Sequence, residues 1–182
     1  MSSFEYATRV PKDRIAVLIG KNGEIKKKIE EDTNTKLNID SKEGEVNIEG
    51  SDGLEIYTTR EIIKAVARGF NPEIALLLLK PDNSLDIINL ADQFDDKRDI
   101  MRTKGRIIGT NGKTRKIIED LTDSYLSVYG KTVSIIGFAE NVAIARRAVE
   151  MLVQGAPHAK IYKYLEKQKK ELRKMELGIY DK

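Results

Sequence analysis

Six basic side chains and no acid occupy residues 102–116: Arg102, Lys104, Arg106, Lys113, Arg115 and Lys116. Inside that run lies GRIIGTNGKT, residues 105–114, with Gly109 and Gly112 three apart. This combination suits phosphate. Cationic groups neutralise the anion, and glycine lets bare main-chain amides approach it. Two nucleotide-binding signatures fail on spacing. A P-loop needs a glycine five positions before the glycine of Gly-Lys-Thr, and that position is Ile107. A G-x-G-x-x-G dinucleotide fingerprint fails at the same residue. What remains is I-G-x-x-G, Ile108-Gly109-Thr110-Asn111-Gly112. In a single copy it reads as a helix–helix turn as readily as a site.

Other reactive types are sparse. With no cysteine there is no disulfide framework or thiolate metal site, and one histidine, His158, makes no imidazole cluster. Asp92, Asp95, Asp96 and Asp99 could in principle hold Mg²⁺ for a nuclease. Acids at the start of a helix also complement its dipole, and no second acidic cluster stands at a catalytic spacing. The expectation is a non-enzyme without cofactor or metal. Four Phe and no Trp, without a paired-aromatic strand motif, argue against an RNA-recognition-motif fold.

With 182 residues the chain can form one domain or two small ones, and a 40% hydrophobic content supplies a core. Net charge is only +3, so the basic character is local: the run above, and a tail from His158 to Lys182 with eight basic and four acidic residues. A local basic patch draws polyanions better than a spread excess. MSSFEYATRV lacks the basic and apolar regions of a secretory signal, and the longest apolar run, IALLLL at 74–79, is too short to span a bilayer. A soluble, cytoplasmic protein with no membrane association is expected.

The glycine motif recurs. VLIGKNGEIKKKIEEDTNTKLNI, residues 17–39, aligns with RIIGTNGKTRKIIEDLTDSYLSV, residues 106–128, at a constant offset of 89. Ile19, Gly20, Asn22, Gly23, Lys27, Ile29, Glu30, Thr33 and Leu37 meet Ile108, Gly109, Asn111, Gly112, Lys116, Ile118, Glu119, Thr122 and Leu126. Farther on, Gly50 aligns with Gly137, Arg60 with Arg146 and Gly69 with Gly155. A period near 90 residues is too long for a solenoid unit and indicates two tandem domains. We place them at 1–80 and 81–155, with a basic C-terminal helix over 156–182.

The elements that must position the motif follow from periodicity. A strand opens each copy, EYATRV and LDIINL. A helix follows, from Asp13 as N-cap to Ile19 in the first copy and from about Asp95 to Ile108 in the second. After the glycines comes a second helix, with Ile25 and Ile29, or Ile117 and Leu121, at helical spacing. Thr33-Asn34 and Thr122-Asp123 end it. TKLNID and SYLSVY read as strands, and SKEGE or GK turns into VNIEG or VSIIG. Asp52 or Glu140 then opens a long amphipathic helix. The order is β-α-α-β-β-α, twice. Residues 159–177 read as one more helix, with Ile161, Leu165, Leu172 and Met175 on a stripe that Gln168 interrupts.

In this setting I-G-x-x-G followed by helix, two strands and helix resembles the type I KH domain, a single-stranded nucleic-acid module whose GXXG loop clamps the backbone of four nucleotides. The resemblance covers roughly residues 5–155 and implies an α+β fold: two tandem KH domains, each a three-stranded antiparallel sheet on helices, with a C-terminal helix. LVQGAPHAKIYKYLEK, residues 152–167, adds a narrower likeness. Gly155, Pro157, Ile161 and Tyr162 match the G-x-P-x-x-x-[IV]-Y stretch of the partner-of-Nob-one family of small-subunit ribosomal RNA processing factors and their archaeal relatives. Eukaryotic members usually lose the first glycine motif. Here it is intact, which places the chain with the archaeal branch.

The resemblance implies RNA contacts from Gly20, Lys21, Asn22, Gly23, Lys26 and Lys27 in the first copy. In the second it implies Arg106, Gly109, Thr110, Asn111, Gly112, Lys113, Arg115 and Lys116. Bases would lie in an apolar groove between the first two helices and the second strand. Ile15, Leu18, Ile19, Ile25, Leu37 and Ile39 would form the groove or its support in one copy, with Arg106, Ile107, Ile108, Leu126 and Val128 in the other. Lys36, Asn38, Tyr125 and Ser127 could read base edges. The implied partner is single-stranded RNA near the 3′ end of 16S (pre-)rRNA, with a ribosome-assembly nuclease, a methyltransferase or a translation factor alongside. The alternatives are a nuclease built on the Asp92–Asp99 carboxylates, and a protein-interaction scaffold whose KH folds no longer bind RNA.

Overall fold

A computed structural model describes residues 4–179. Its contacts divide the chain into two compact units, one through Leu85 and one from Asp86 onward. The first unit runs β1 (Phe4–Arg9), α1 (Lys12–Ile19), α2 (Glu24–Thr33), β2 (Lys36–Asp40), β3 (Glu45–Gly50), α3 (Gly53–Ala67) and a four-residue α4 (Pro72–Ala75). The second is entered through β4 (Asn83–Asn89), which straddles that boundary, and runs α5 (Lys97–Ile108), α6 (Lys113–Thr122), β5 (Tyr125–Tyr129), β6 (Thr132–Phe138), α7 (Ala139–Val153) and α8 (His158–Glu176). Short 3₁₀ turns cover Lys21–Gly23 and Thr110–Gly112, and further ones cover Leu76–Leu79 and Leu90–Asp92. The β-α-α-β-β-α order holds in both copies.

Each sheet has three strands, in the orders β1-β3-β2 and β4-β6-β5. β3 pairs antiparallel with both neighbours, placing Tyr6 and Leu37 opposite Ile48. Strand alternation sends Leu37, Val46 and Ile48 into the core and Lys36, Asn38, Glu45 and Asn47 outward. In the second unit Leu126 lies across from Ile135, and Val128 from Val133.

The long helices bury the stripes their periodicity predicts: Ile56, Ile62, Ile63 and Val66 on α3, and Val142, Ala145, Ala148, Val149 and Leu152 on α7. On α6 the register differs from expectation. Ile118 faces the core with Thr114 and Thr122, leaving Ile117 and Leu121 half-buried. Ile161 and Leu165 of α8 are fully buried in the second unit's core, Leu172 is half-buried and Met175 is exposed. The tail stripe therefore docks through its first two turns.

Helix starts correct two assignments. α1 begins after Pro11, so Asp13 sits in the first turn and is not the cap. α7 follows Phe138, with Glu140 likewise in the first turn. Proline with its fixed φ takes the place of a capping side chain at the first start. Asp52 does cap α3, accepting from the Leu54 and Glu55 amides at 2.6 and 3.3 Å. Asp52→Ala is expected to lower the first unit's stability by about 1 kcal/mol, read as a lower urea midpoint at unchanged slope.

Candidate nucleic-acid interface

The two glycine loops have the same backbone. Gly20 and Gly109 both sit at φ 74°, ψ 176°. Asn22 and Asn111 take φ 54° and 53°, and Gly23 and Gly112 take φ 79° and 73°. Asparagine tolerates the left-handed region through its short polar side chain, which explains its repetition. The first glycine of each pair is fixed by space as well as by φ. A Cβ on Gly20 would lie 2.9 Å from the Ile25 backbone nitrogen, and one on Gly109 would lie 2.8 Å from that of Thr114. The second glycine faces open space, with nothing within 4 Å of an added Cβ. Thus Gly20 and Gly109 let the helices close up, while Gly23 and Gly112 leave main chain bare toward solvent.

Each loop ends an α-helix and starts another. Gly20 N–H donates to Ala16 O and Gly109 N–H to Gly105 O. α2 and α6 start at Gly23 and Gly112 with no side-chain cap. Their first-turn amides therefore point at the cradle with the positive end of the dipole, a ready phosphate environment. Charge around that end differs between copies. Glu24 occupies the first turn of α2, whereas Lys113 stands at the matching place on α6.

The named cations split into paired and unpaired groups. Lys26 and Lys27 reach Glu30 and Glu31 at 4.0 and 3.7 Å, and Arg115 reaches Glu119 at 3.6 Å. Such i,i+4 pairs, exposed or partly exposed, are weak and leave the cations available to a phosphate. Lys21, Lys113 and Lys116 are exposed and have no ion pair among the described residues.

Arg106 is committed elsewhere. Its guanidinium donates to Leu152 O at 2.7 Å and Ala156 O at 2.6 Å, tying α5 to the end of α7. Arg14 performs the same task in the first unit, donating to Val66 O and Phe70 O at 2.8 Å each. The acceptors match at the offset that pairs Gly69 with Gly155, yet the two arginines do not align. Arg14 corresponds to Thr103, one helical turn before Arg106. The staple is shared and its sequence position is not, so the repeat alignment gives no sign of it.

Several repeated identities are structural. Glu30 and Glu119 accept the Leu37 and Leu126 amides at 2.7 and 2.8 Å, starting the strands β2 and β5. Thr33 and Thr122 donate to Ile29 O and Ile118 O. Among groove residues, Ile15, Leu18, Leu37, Ile107 and Leu126 are core, while Ile19, Ile25, Ile39, Ile108 and Val128 are half-buried and reachable. Lys36 and Asn38 lie on the sheet face away from the helices, where Asn38 bonds Glu49 at 2.6 Å. Ser127 is buried and Tyr125 half-exposed.

The acidic residues near α5 have ordinary structural work. Asp96 caps the helix through the Arg98 amide at 2.8 Å, and that bond, then the Arg98 guanidinium, holds its carboxyl below the usual range. Asp99 pairs with Arg102 at 2.8 Å, and Asp92 accepts from Asn89. Among the described residues no three His, Asp or Glu side chains are placed to share a metal ion, and no helix is long and apolar enough to cross a membrane.

Beside the second cradle, two α8 residues appear that a motif reading leaves without a role. The Tyr162 hydroxyl lies 3.1 Å from Thr114 Oγ1, and His158 Nε2 lies 2.9 Å from Arg106 O. A carbonyl only accepts, so Nε2 carries the proton. Gly155 at φ 90°, Pro157 as N-cap and buried Ile161 bring α8 back onto α6.

Comparison with known proteins agrees with this geometry. The family model for the eukaryotic-type KH domain (type I), drawn from the second KH domain of PNO1, matches residues 84–170. A general KH-domain model matches residues 6–68. A KH domain-containing protein of Methanocaldococcus jannaschii is 46% identical over 178 residues, covering 96% of this chain and 78% of that protein. The crystal structure of Dim2p from Pyrococcus horikoshii is similar at TM-score 0.85 and 48% identity, covering 90% of this chain and 99% of that one. Dim2p in an a/eIF2alpha–aDim2p–rRNA complex from the same organism is similar at TM-score 0.87 and 47% identity, over 93% of this chain and 96% of that one.

Proposed function

Because the chain belongs to the family of archaeal tandem KH-domain proteins that includes Dim2p, we propose that it is a single-stranded RNA-binding factor of small-subunit ribosomal RNA processing and assembly. Its target is the 3′ region of 16S (pre-)rRNA, which it presents to or shields from a processing nuclease or methyltransferase in the cytoplasm. The rRNA in the Pyrococcus complex supports the ligand class, and a/eIF2alpha in that complex supports a translation factor as a protein partner.

The observation that carries this reading is the pair of glycine loops with matching dihedral angles, each opening an uncapped helix beside unpaired lysines. In this account the loop amides and Lys21, or Lys113 and Lys116, hold phosphates. Half-buried Ile19, Ile25 and Ile39, or Ile108 and Val128, receive bases. Lys26, Lys27 and Arg115 add screened attraction from farther along the helices. Arg106 contributes a fixed positive charge, because neutral carbonyls bind it without cancelling it.

The test is a fluorescence titration with a single-stranded 16S 3′-end oligonucleotide and the same sequence as a duplex, at several salt concentrations. The single strand is expected to bind more tightly, with log affinity falling by about 0.7 per phosphate contact per log unit of salt, so roughly 2–3 for one cradle. Equal affinity for the duplex, or no salt dependence, contradicts the proposal. Crosslinking in cells followed by RNA sequencing tests the location on the transcript.

A further inference from the structure

The second cradle adjoins a cavity of about 430 Å³ whose lining includes Arg102, Arg106, Lys113, Thr114, His158 and Tyr162. No acidic side chain lines it. Arg106 keeps its charge while bonded to carbonyls, Arg102 is paired on its outer side with Asp99, and Lys113 has no ion pair among the described residues. Tyr162 and His158, anchored to Thr114 and to Arg106 O, form a wall that α8 alone supplies.

The first unit replaces the polar lining. At the repeat offset, Arg102, Arg106, Lys113 and Thr114 become Asp13, Val17, Glu24 and Ile25. Two of these changes turn a cation into an acid. The helix that follows α3 is only the four-residue Pro72–Ala75, against nineteen residues for α8. The loops are alike in backbone, and Arg14 takes the place of Arg106 at the helix-end carbonyls, but at the positions of Arg102 and Lys113 the first unit carries acids.

We propose that this cavity is an additional nucleotide subsite, specific to the second unit, for the residue that directly adjoins the four nucleotides spanned by the glycine loop. Its phosphodiester lies between Arg102 and Lys113, and its sugar and base lie against Tyr162. The volume is within the range of small-ligand sites and exceeds what a bare phosphate fills. This deepens the RNA-binding reading above and rests on it.

Amide-resolved NMR titration of the full chain tests the subsite, with Gly112 reporting the second cradle and Gly23 serving as internal control. The probes are mixed-sequence RNA pools: a tetranucleotide with hydroxyl ends, the same with a 5′- or 3′-phosphate, and pentanucleotides extended at either end. One pentanucleotide is expected to bind at Gly112 about fivefold more tightly than the tetranucleotide, with no such gain at Gly23. Arg102→Gln, a change at an exposed helix position, is expected to abolish the gain.

The subsite is overturned if neither extension helps, if the gain survives in the variant, or if Gly23 shows it equally. A bare end phosphate giving the whole gain overturns the nucleotide subsite in favour of a phosphate contact. Tetranucleotide binding without an extension gain removes the subsite alone, whereas no binding by any RNA removes the parent reading with it.

Discussion

Replacing Thr110-Asn111 by Asp-Asp is expected to weaken single-stranded RNA binding roughly thirtyfold, because two new carboxylates within a few ångströms of bound phosphates each cost about 1 kcal/mol even near bulk-water screening. The change should leave the fold intact. Both side chains are exposed, and aspartate already holds φ 46° at Asp123 in the same unit, so Asp at position 111 meets no new strain. The matching change at Lys21-Asn22 alters the charge by three units, since it also removes a lysine, yet it is expected to cost less of the overall affinity because the first cradle contributes less to it. That cradle already has Glu24 in the first turn of its helix, which weakens its starting hold on phosphate. Polarisation titration of a labelled strand reads both variants, and a thermal melt checks that each remains folded. Unchanged affinity in both contradicts the RNA-binding account and favours a scaffold.

Arg106→Ala is expected to destabilise the second unit by about 2 kcal/mol. It removes two short charge-assisted hydrogen bonds, each worth about 1.5–3 kcal/mol when well buried, while water can reach the freed carbonyls in this half-buried place. Arg106→Lys should recover little, since an ammonium lacks the fork that spans both acceptors. Arg14→Ala should produce a comparable loss in the first unit through Val66 O and Phe70 O. Urea unfolding followed by residue-resolved NMR assigns each loss to its unit. If Arg106→Ala leaves stability unchanged and affects only RNA affinity, the staple is not structural.

The fold was legible because the repeat reports itself twice. Gly20-x-x-Gly23 and Gly109-x-x-Gly112, the alternating strands and the apolar stripes of α3 and α7 carry enough pattern to order the elements. Helix starts were less legible, since the chain enters α1 and α7 from Pro11 and Phe138, two residues before the Asp13 and Glu140 expected to open them. The core face of α6 was misread by one residue, because Ile117 and Ile118 are adjacent and a short window does not decide between them.

At the site, the cradle is written in local sequence and its surroundings are not. The role of Arg106 depends on carbonyls 46 and 50 residues away. Tyr162 reaches Thr114 across 48 residues of chain. The repeat alignment gives no sign of these long-range partners, but it does separate the two cradles by charge. It sets Arg102 and Lys113 against Asp13 and Glu24, a reversal of charge at aligned positions that marks the two cradles as chemically different.

The central claim is that the glycine loops themselves grip the RNA backbone. The most direct measurement is the map of ¹⁵N–¹H shift changes when an unlabelled single-stranded 16S 3′-end oligonucleotide is added to the full chain. The account expects the largest changes at the amides of Thr110 to Lys113, with Lys21 to Glu24 second, and small changes on the outer sheet face around Lys36 and Asn38. Changes centred on that outer face, with both loops silent, would contradict it.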